Sequence, residues 1–431
     1  MDWLFADVAV HFFAQNGASF PPATPPAASY LINWEEHAVN LLSLLIRSYS
    51  IQFNSNQRID WLKILFAALG LYFDNLAPAH IFNFRSFIFQ VAGLKAQIDD
   101  MRAEKNDKTM AQIAAEHGAL KNLRKPPSIK LRRTLRGHFG KVYAMHWAGD
   151  SDSLLSASQD GKLIVWNAKS NVKTHAISLR SSWVMTCAFE QTKGNLVACG
   201  GLDNICSVYN ISSSDAGTSA RATQELSAHD GYLSCCRFID EKHLLSSSGD
   251  STCIQWDVET GEVVQRFSGH NGDVMSLSIS SANPNVFVSG SVDATGRIWD
   301  VRSGKNVQTH FGHDADINSV DFFPDGHAFG TGSDDSSCRV FDMRCYGEVT
   351  KFATPEIQCG ITSVSFSRSG RLLFGGYDDF NVHAWDTISA GDHAFHLPST
   401  PHDNRVSCLG VNPKGDALCT GSWDTYLKIW A

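Results

Sequence analysis

Ser289-Gly290-Ser291-Val292-Asp293-Ala294-Thr295-Gly296-Arg297-Ile298-Trp299-Asp300 ends on an aromatic followed by an acid, with a second acid six residues before the aromatic and a hydroxyl ten before it. The aromatic returns at Trp166, Tyr209, Trp256, Trp299, Phe341, Trp385 and Trp430, at intervals of 42 to 47 residues. Six residues ahead of each stands an acid: Asp160, Asp203, Asp250, Asp293, Asp335, Asp379 and Asp424. A period of about 40 to 45 residues closing on such a pair is the mark of a four-stranded propeller blade. The expected fold is therefore all-β, a seven-bladed WD-repeat β-propeller over residues 129–431.

Two further markers travel together. A histidine lies 21 to 23 residues before the acid in five repeats, at His138, His229, His270, His313 and His402. The same five carry a hydroxyl ten residues before the aromatic, at Ser156, Ser246, Ser289, Thr331 and Thr420, where the other two have Cys199 and Gly375. Joint loss is what a hydrogen-bonded set predicts, because a buried polar group stranded without its mate costs about 1 to 3 kcal/mol. We expect hydroxyl, His, Asp and Trp to form one structural network in each of these five blades. A Ser-His-Asp trio also suggests a nucleophilic triad, but a catalytic site needs one constellation with an oxyanion hole, and this trio recurs five times. No phosphate-binding loop or nucleophile elbow sits on a strand-to-helix turn. The chain offers no catalytic residue, metal site or cofactor motif.

The last residues, Leu427 to Trp430, complete only a third strand of the last blade. The β-like run Ile129 to Leu135 is expected to supply the fourth and close the ring, removing an open edge. Ahead of it the chain divides into an unassigned extension (1–85), a helical segment (86–118) and a basic linker (119–128). In the helical segment Val91, Leu94, Ile98 and Met101 recur at steps of three and four. A stripe this narrow suits a coiled-coil seam, and the pattern alone leaves open a helix packed on its own domain. Lys121 to Arg136 has no acid and is read as a solvated linker and charged edge strand, with a weak acidic-lipid contact as the alternative.

Across 431 residues a net charge of −8 gives no global attraction to nucleic acid. The eleven cysteines form no zinc-type spacing, and nine of them within β-like runs are read as buried thiols of a reducing compartment. With no secretory leader and no apolar run long enough to span a bilayer, a cytosolic protein is expected.

Aligning the repeats three residues after the histidine gives one triplet per inner strand, such as Lys141-Val142-Tyr143, Trp183-Val184-Met185, Tyr232-Leu233-Ser234, Asp273-Val274-Met275 and Asp316-Ile317-Asn318. The aliphatic middle residue should point into the blade and its neighbours toward the axis and one rim. The neighbours need no particular side chain for the fold, so their mixture of aromatics, Met and charges is read as a protein-binding surface.

The runs Thr134-Leu135-Arg136-Gly137-His138, Ser181-Ser182-Trp183-Val184-Met185-Thr186-Cys187, Gly200-Gly201-Leu202-Asp203-Asn204-Ile205-Cys206, Gly231 to Phe238 and Gly421-Ser422-Trp423-Asp424 resemble heterotrimeric G-protein β subunits, over about residues 92–431. The resemblance implies a non-enzymatic subunit that pairs with γ, holds the GDP-bound α subunit and passes receptor signals to effectors. It implies no nucleic-acid partner, and a place at the inner face of the plasma membrane only indirectly, through lipidated γ and α. By matching position it assigns α binding to Lys141, Tyr143, Trp183, Met185, Leu202, Asn204, Tyr232, Asp273, Met275, Asp316, Asn318, Asp334 and Trp423. Val91, Leu94, Ile98 and Met101 become the γ-pairing seam. The first 85 residues have no counterpart in that family, and Ser399-Thr400-Pro401-His402 replaces its usual Gly-His lead-in. The alternative is a general WD-repeat scaffold for cytosolic signalling complexes, which would lack the γ-pairing helix.

Overall fold

A computed structural model describes residues 129–212, 221–388, 393–397 and 401–431. The expected helix, with Val91, Leu94, Ile98 and Met101, and the linker lie outside the described residues. Among the described residues, twenty-eight strands form seven antiparallel four-stranded sheets. Their first strands, Val142–Trp147, Val184–Phe189, Leu233–Phe238, Val274–Ile279, Ile317–Phe322, Ile361–Phe366 and Val406–Val411, pack side by side, the last against the first. The described residues form a seven-bladed β-propeller with these strands innermost.

The ring closes through the seventh blade, whose outer strand is Leu131–Leu135, paired antiparallel with Leu427–Trp430. Lys130 and Ala431 exchange both backbone hydrogen bonds at 3.0 Å, so the start of the propeller is tied to its end. The outer strands of six blades carry a register break beside the aromatic, at Val165/Trp166, Gln255/Trp256, Ile298/Trp299, Val340/Phe341, Ala384/Trp385 and Ile429/Trp430. A bulge there bends the exposed strand and makes it a poor template for a second chain.

Inner edges pose the opposite problem, since their backbone groups face the axis and still need partners. Side chains of the preceding blade accept from them. Thr186, Ser276, Ser319 and Ser363 take the N–H of Cys236, Val320, Val364 and Leu409 at 3.1 to 3.3 Å. One layer further along, His146, Ser278, Asp321 and Ser365 take those of Phe189, Phe322, Phe366 and Val411 at 2.9 to 3.4 Å. The carbonyls at the head of the next inner strand are served similarly: Ser234, Asn318, Thr362 and Ser407 donate to Val274, Ile361, Val406 and Val142. This corrects the expectation that residues flanking the aliphatic position are free of the fold. At these four blades the side chain satisfies a carbonyl that no strand can reach, and only Tyr143, Met185 and Met275 remain of the larger side chains at that position.

The core lies between blades. Trp166, Trp256, Trp299, Phe341 and Trp385 are buried, as are the nine cysteines of the β runs, all free thiols. Around four of the indoles the expected polar network is present. In the first blade His138 Nδ1 lies 3.1 Å from Asp160, His138 Nε2 lies 2.7 Å from Ser156 Oγ, and Trp166 Nε1 donates to Ser156 at 2.8 Å. The same chain links Asp250, His229, Ser246 and Trp256, then Asp293, His270, Ser289 and Trp299, then Asp424, His402, Thr420 and Trp430. A carboxylate only accepts, so Nδ1 carries the proton, and the hydroxyl donates to Nε2 while accepting from the indole. Burial lowers the pKa of His229 and His270 despite the facing carboxylates, which keeps the rings neutral.

In the fifth blade the expectation of a tryptophan is corrected. His313 bonds Asp335 at 2.8 Å and Thr331 at 2.6 Å, but the aromatic is Phe341, which has no N–H and meets the imidazole only edge-on. A member of the network that the repeat pattern did not single out is a second serine, two residues before the acid: Ser158, Ser248, Ser291, Ser333 and Ser422. Each accepts the backbone N–H of its Asp at 3.1 to 3.3 Å. The two blades without histidine have Gly201 and Tyr377 at that position.

Candidate functional site: one rim of the inner strands

Seven equivalent hydrogen bonds define the rim. The N–H groups of Gln159, Leu202, Gly249, Val292, Asp334, Asp378 and Trp423 donate to the carbonyls of Lys141, Trp183, Tyr232, Asp273, Asp316, Gly360 and Arg405 at 2.9 to 3.2 Å. Each bond holds the residue before an inner strand against the residue after its neighbour, so the two side chains of each blade stand together at one end of the inner hairpin. At the second blade this approach is so close that a Cβ on Gly201 would lie 1.8 Å from the Trp183 carbonyl oxygen. Glycine at 201 is what the close approach in this one blade requires, whereas Ser158, Ser248, Ser291, Ser333, Tyr377 and Ser422 hold the same position behind the other rim bonds.

The rim has two sectors of different chemistry. In the seventh and first blades the Trp423 ring has Lys141 Nζ 4.0 Å and Arg405 Cζ 5.1 Å from its centroid, with Tyr143 edge-on at 5.9 Å. Cations over an indole face are held by its quadrupole. Trp183 and Leu202 continue this sector in the second blade, 47% and 51% exposed, with Met185 half-buried beside them. Asn204 follows in a left-handed turn (φ 62°) that Asn tolerates, and reaches the Asp230 carbonyl at 3.3 Å.

The facing sector is acidic. Tyr232 donates its hydroxyl to Asp273 at 2.9 Å and touches Met275 Sδ at 3.5 Å; burial and the Asp273 carboxylate push the phenol up to about 12. Asn318 donates to Asp334 at 2.6 Å. Burial, Asp334 and Asp273 raise the Asp316 carboxyl, as expected when like charges are held together. All thirteen residues of the expected α-facing set lie on these triplets or in the turns beside them.

Arg405, Asp378 and Val292 also lie on the rim and were not in that set. Arg405 Nε lies 2.7 Å from Asp378 Oδ1, joining the sixth and seventh blades at the border between the sectors. The same alignment gives Arg405-Val406-Ser407 in the seventh blade, but the partner of Arg405 sits in a turn of another repeat, and no linear spacing connects them. Val292, 37% exposed, occupies the fourth blade's equivalent of Leu202.

Among the described residues no cluster of His, Cys, Asp and Glu is arranged to hold a metal ion, and no helix is long and apolar enough to cross a membrane. Comparison with known proteins gives a consistent result. Residues 85–431 match the family model of G protein beta WD-40 repeat proteins. The chain is 53% identical over 337 residues to a guanine nucleotide-binding protein subunit beta of Lymnaea stagnalis, covering 78% of this chain and 96% of that protein. It is 55% identical over 338 residues to one of Dictyostelium discoideum, covering 78% of this chain and 95% of that protein. With the repeat, the closed seven-bladed ring and these identities in agreement, the chain belongs to the G protein β WD-40 repeat family.

Proposed function

We propose that the protein is the β subunit of a heterotrimeric G protein, a binding platform with no catalytic step of its own. It pairs with γ through the segment 86–118, holds a GDP-bound α subunit on the rim, and passes receptor signals to effectors as a βγ dimer. Lipidated γ and α would then keep it at the inner face of the plasma membrane. The observation that carries the α-binding reading is the rim itself. Exposed Trp183 and Leu202 adjoin a tryptophan flanked by two cations, and an acidic arc faces them. Aromatic anchors beside selected charges are the usual composition of an interface hot spot.

The test is Trp183→Ala. An exposed anchor lost from an interface centre should weaken binding of a GDP-bound α subunit by at least about 2 kcal/mol, roughly thirty-fold, with the melting temperature nearly unchanged. Calorimetric titration with α and a melting curve on the same sample separate this from simple destabilisation. Unchanged affinity in a folded mutant removes Trp183 from the site. For the γ seam, Leu94→Asp with Ile98→Asp should abolish co-purification of γ while the ring stays folded, because a coiled-coil seam cannot bury two unpaired carboxylates. Retention of γ would point to a helix packed elsewhere.

A further inference from the structure

Each blade ends in an outer strand whose open edge needs some device against pairing with another chain. In six of the seven, counted with one residue at either end, the strand carries at most one Lys or Arg. Lys173, Arg266, Lys305 and Lys351 stand alone in theirs, and Gln224–Leu226 and His393–His396 have none. Leu131–Leu135 differs. Arg132 and Arg133 lie within it and Lys130 and Arg136 at its ends, all four exposed and with no acid among them. This strand also has the register break that protects most of the other edges, so its cations exceed what an edge requires. The cationic run begins earlier, at Lys121, Arg124 and Lys125, outside the described residues.

The four charges are left open. Arg132 Nε donates to the Ala431 main-chain oxygen at 3.1 Å, Arg133 Nε to the Lys169 carbonyl at 3.2 Å, and Arg136 lies over the Tyr426 ring. These contacts position the guanidinium groups without placing a side-chain carboxylate beside them. Elsewhere Arg180 and Arg344 each hold an acid, Glu225 at 2.8 Å and Asp342 at 2.6 Å. The Lys169 carbonyl belongs to the turn before Lys173–Ser178, so the first blade continues the surface with Val172. Leu131 and Val172 are 46% and 56% exposed, which sets aliphatic groups among the cations.

We propose that the outer edge of the seventh blade, with the adjoining turn of the first, docks directly on an anionic lipid bilayer. Lys130, Arg132, Arg133 and Arg136 meet the headgroup charge, and Leu131 and Val172 rest at the acyl boundary. The edge rather than either face of the blade meets the bilayer, so side chains of both faces reach it. Clustered Lys and Arg are attracted to acidic leaflets, and aliphatic groups between them gain from a bilayer what a polyphosphate chain does not offer. The contact needs neither γ nor α and does not depend on the α-binding assignment.

Co-sedimentation of the full-length chain, free of lipidated subunits, with vesicles tests it. The chain should bind phosphatidylcholine vesicles containing ~30% phosphatidylserine and not pure phosphatidylcholine, and raising salt from about 0.05 to 0.5 M should release it. Each cation near an acidic surface strengthens binding roughly five-fold, so Arg132→Gln with Arg133→Gln should weaken it about 25-fold at low salt. Arg132→Lys with Arg133→Lys keeps the charge and should bind like the wild type. A melting curve on each variant reports the fold. If the Gln pair does not fold, Lys130→Gln with Arg136→Gln, whose side chains hold no main-chain group, gives the same measurement. No binding to acidic vesicles, equal binding to neutral ones, or unchanged affinity in a folded Gln variant overturns the proposal. Binding to single-stranded RNA without binding to vesicles also overturns it, and assigns the cations to a polyphosphate chain.

Discussion

In the sixth blade Gly375 stands where five blades carry a serine or threonine, and Tyr377, on the same face two residues later, is fully buried with its hydroxyl on Trp385. The second blade has also lost the histidine and the hydroxyl, yet Cys199 and Gly201 leave the space between Asp203 and Tyr209 unfilled by side chains. Glycine makes the sixth-blade solution possible, since a Cβ at 375 would lie 2.8 Å from the Tyr377 ring. The indole N–H is the group that cannot be left alone: where the aromatic is Trp a hydroxyl is supplied, and where it is Tyr209 or Phe341 the requirement lapses. A buried indole of the repeat thus finds a hydroxyl in every blade that has one, and the histidine keeps its hydroxyl even in the fifth blade, where Thr331 bonds His313 beside Phe341.

That reading predicts the largest loss at Tyr377. Tyr377→Ala removes a buried ring and strands the Trp385 indole, and should cost about 3 to 5 kcal/mol in chemical denaturation, by analogy with other buried aromatics. Tyr377→Phe keeps the ring and should cost only about 1 to 3 kcal/mol, the penalty of one unsatisfied buried donor. If both substitutions cost the same, the hydroxyl is not serving the indole and the two blades do not differ as described.

Asp293→Ala comes next, in one of the five clasped blades, those whose histidine bonds the acid and the hydroxyl. It strands the His270 N–H and releases backbone donors at Asn271 and Thr295, and about 1 to 3 kcal/mol should be lost with the rim untouched. A change within error of zero would falsify the network as a stabilising unit.

How much of this was legible beforehand follows from which contacts are periodic. The aromatic, the acid, the histidine and its hydroxyl recur at fixed offsets because every blade repeats the same hairpins, and the five-fold coincidence of His with Ser or Thr identified their bond. The second serine at Ser158, Ser248, Ser291, Ser333 and Ser422 obeys the same offset and was available to the same reasoning. Tyr377 was not, because one blade uses it once and its meaning depends on Gly375 having cleared the space. The Arg405 to Asp378 pair joins two blades once, and the carbonyl-binding hydroxyls of Ser234, Thr362 and Ser407 hold one triplet position but find their acceptors in the next blade, a contact that spacing within a repeat does not show. Rim residues were legible as positions; which of them also hold the fold was not.

Acid should separate the clasped blades from the other two by a smaller margin. Burial lowers the pKa of His229 and His270 in the folded chain, so below about pH 6.5 the unfolded chain takes up protons that the folded one refuses. Stability should therefore fall as pH drops from 7 toward 5.5, by at most about 1.4 kcal/mol per pH unit for each such ring. Burial opposes ionisation of Asp160, Asp250, Asp293, Asp335 and Asp424, but their histidine and other hydrogen bonds outweigh it and hold them low. Their contribution is present above about pH 4 and is lost as pH falls through the folded values. Denaturation curves between pH 7 and 5.5 should steepen this way in the wild type and less in His270→Gln. An identical slope in the two would mean that the buried rings are not the groups taking up the proton.

The smallest effect is expected at Cys199, and it bears most directly on the contrast between the two blades. Cys199 occupies the hydroxyl position of the second blade, but the aromatic opposite it is Tyr209, which brings no indole N–H, and no histidine reaches it. Among the described residues no hydrogen bond to its sulfur is present, so Cys199→Ala removes one buried polarisable atom beside space that is already open. The loss should stay below about 1 kcal/mol. Ser289→Ala, the same position in a clasped blade, leaves both the Trp299 N–H and His270 Nε2 without their partner and should cost about 1 to 3 kcal/mol. Denaturation midpoints for the two alanine variants, measured with unchanged m values, give the difference directly. Equal costs would mean that Cys199 sits in a bonded set after all, and the second-blade pocket would then be a packing defect unrelated to the missing histidine.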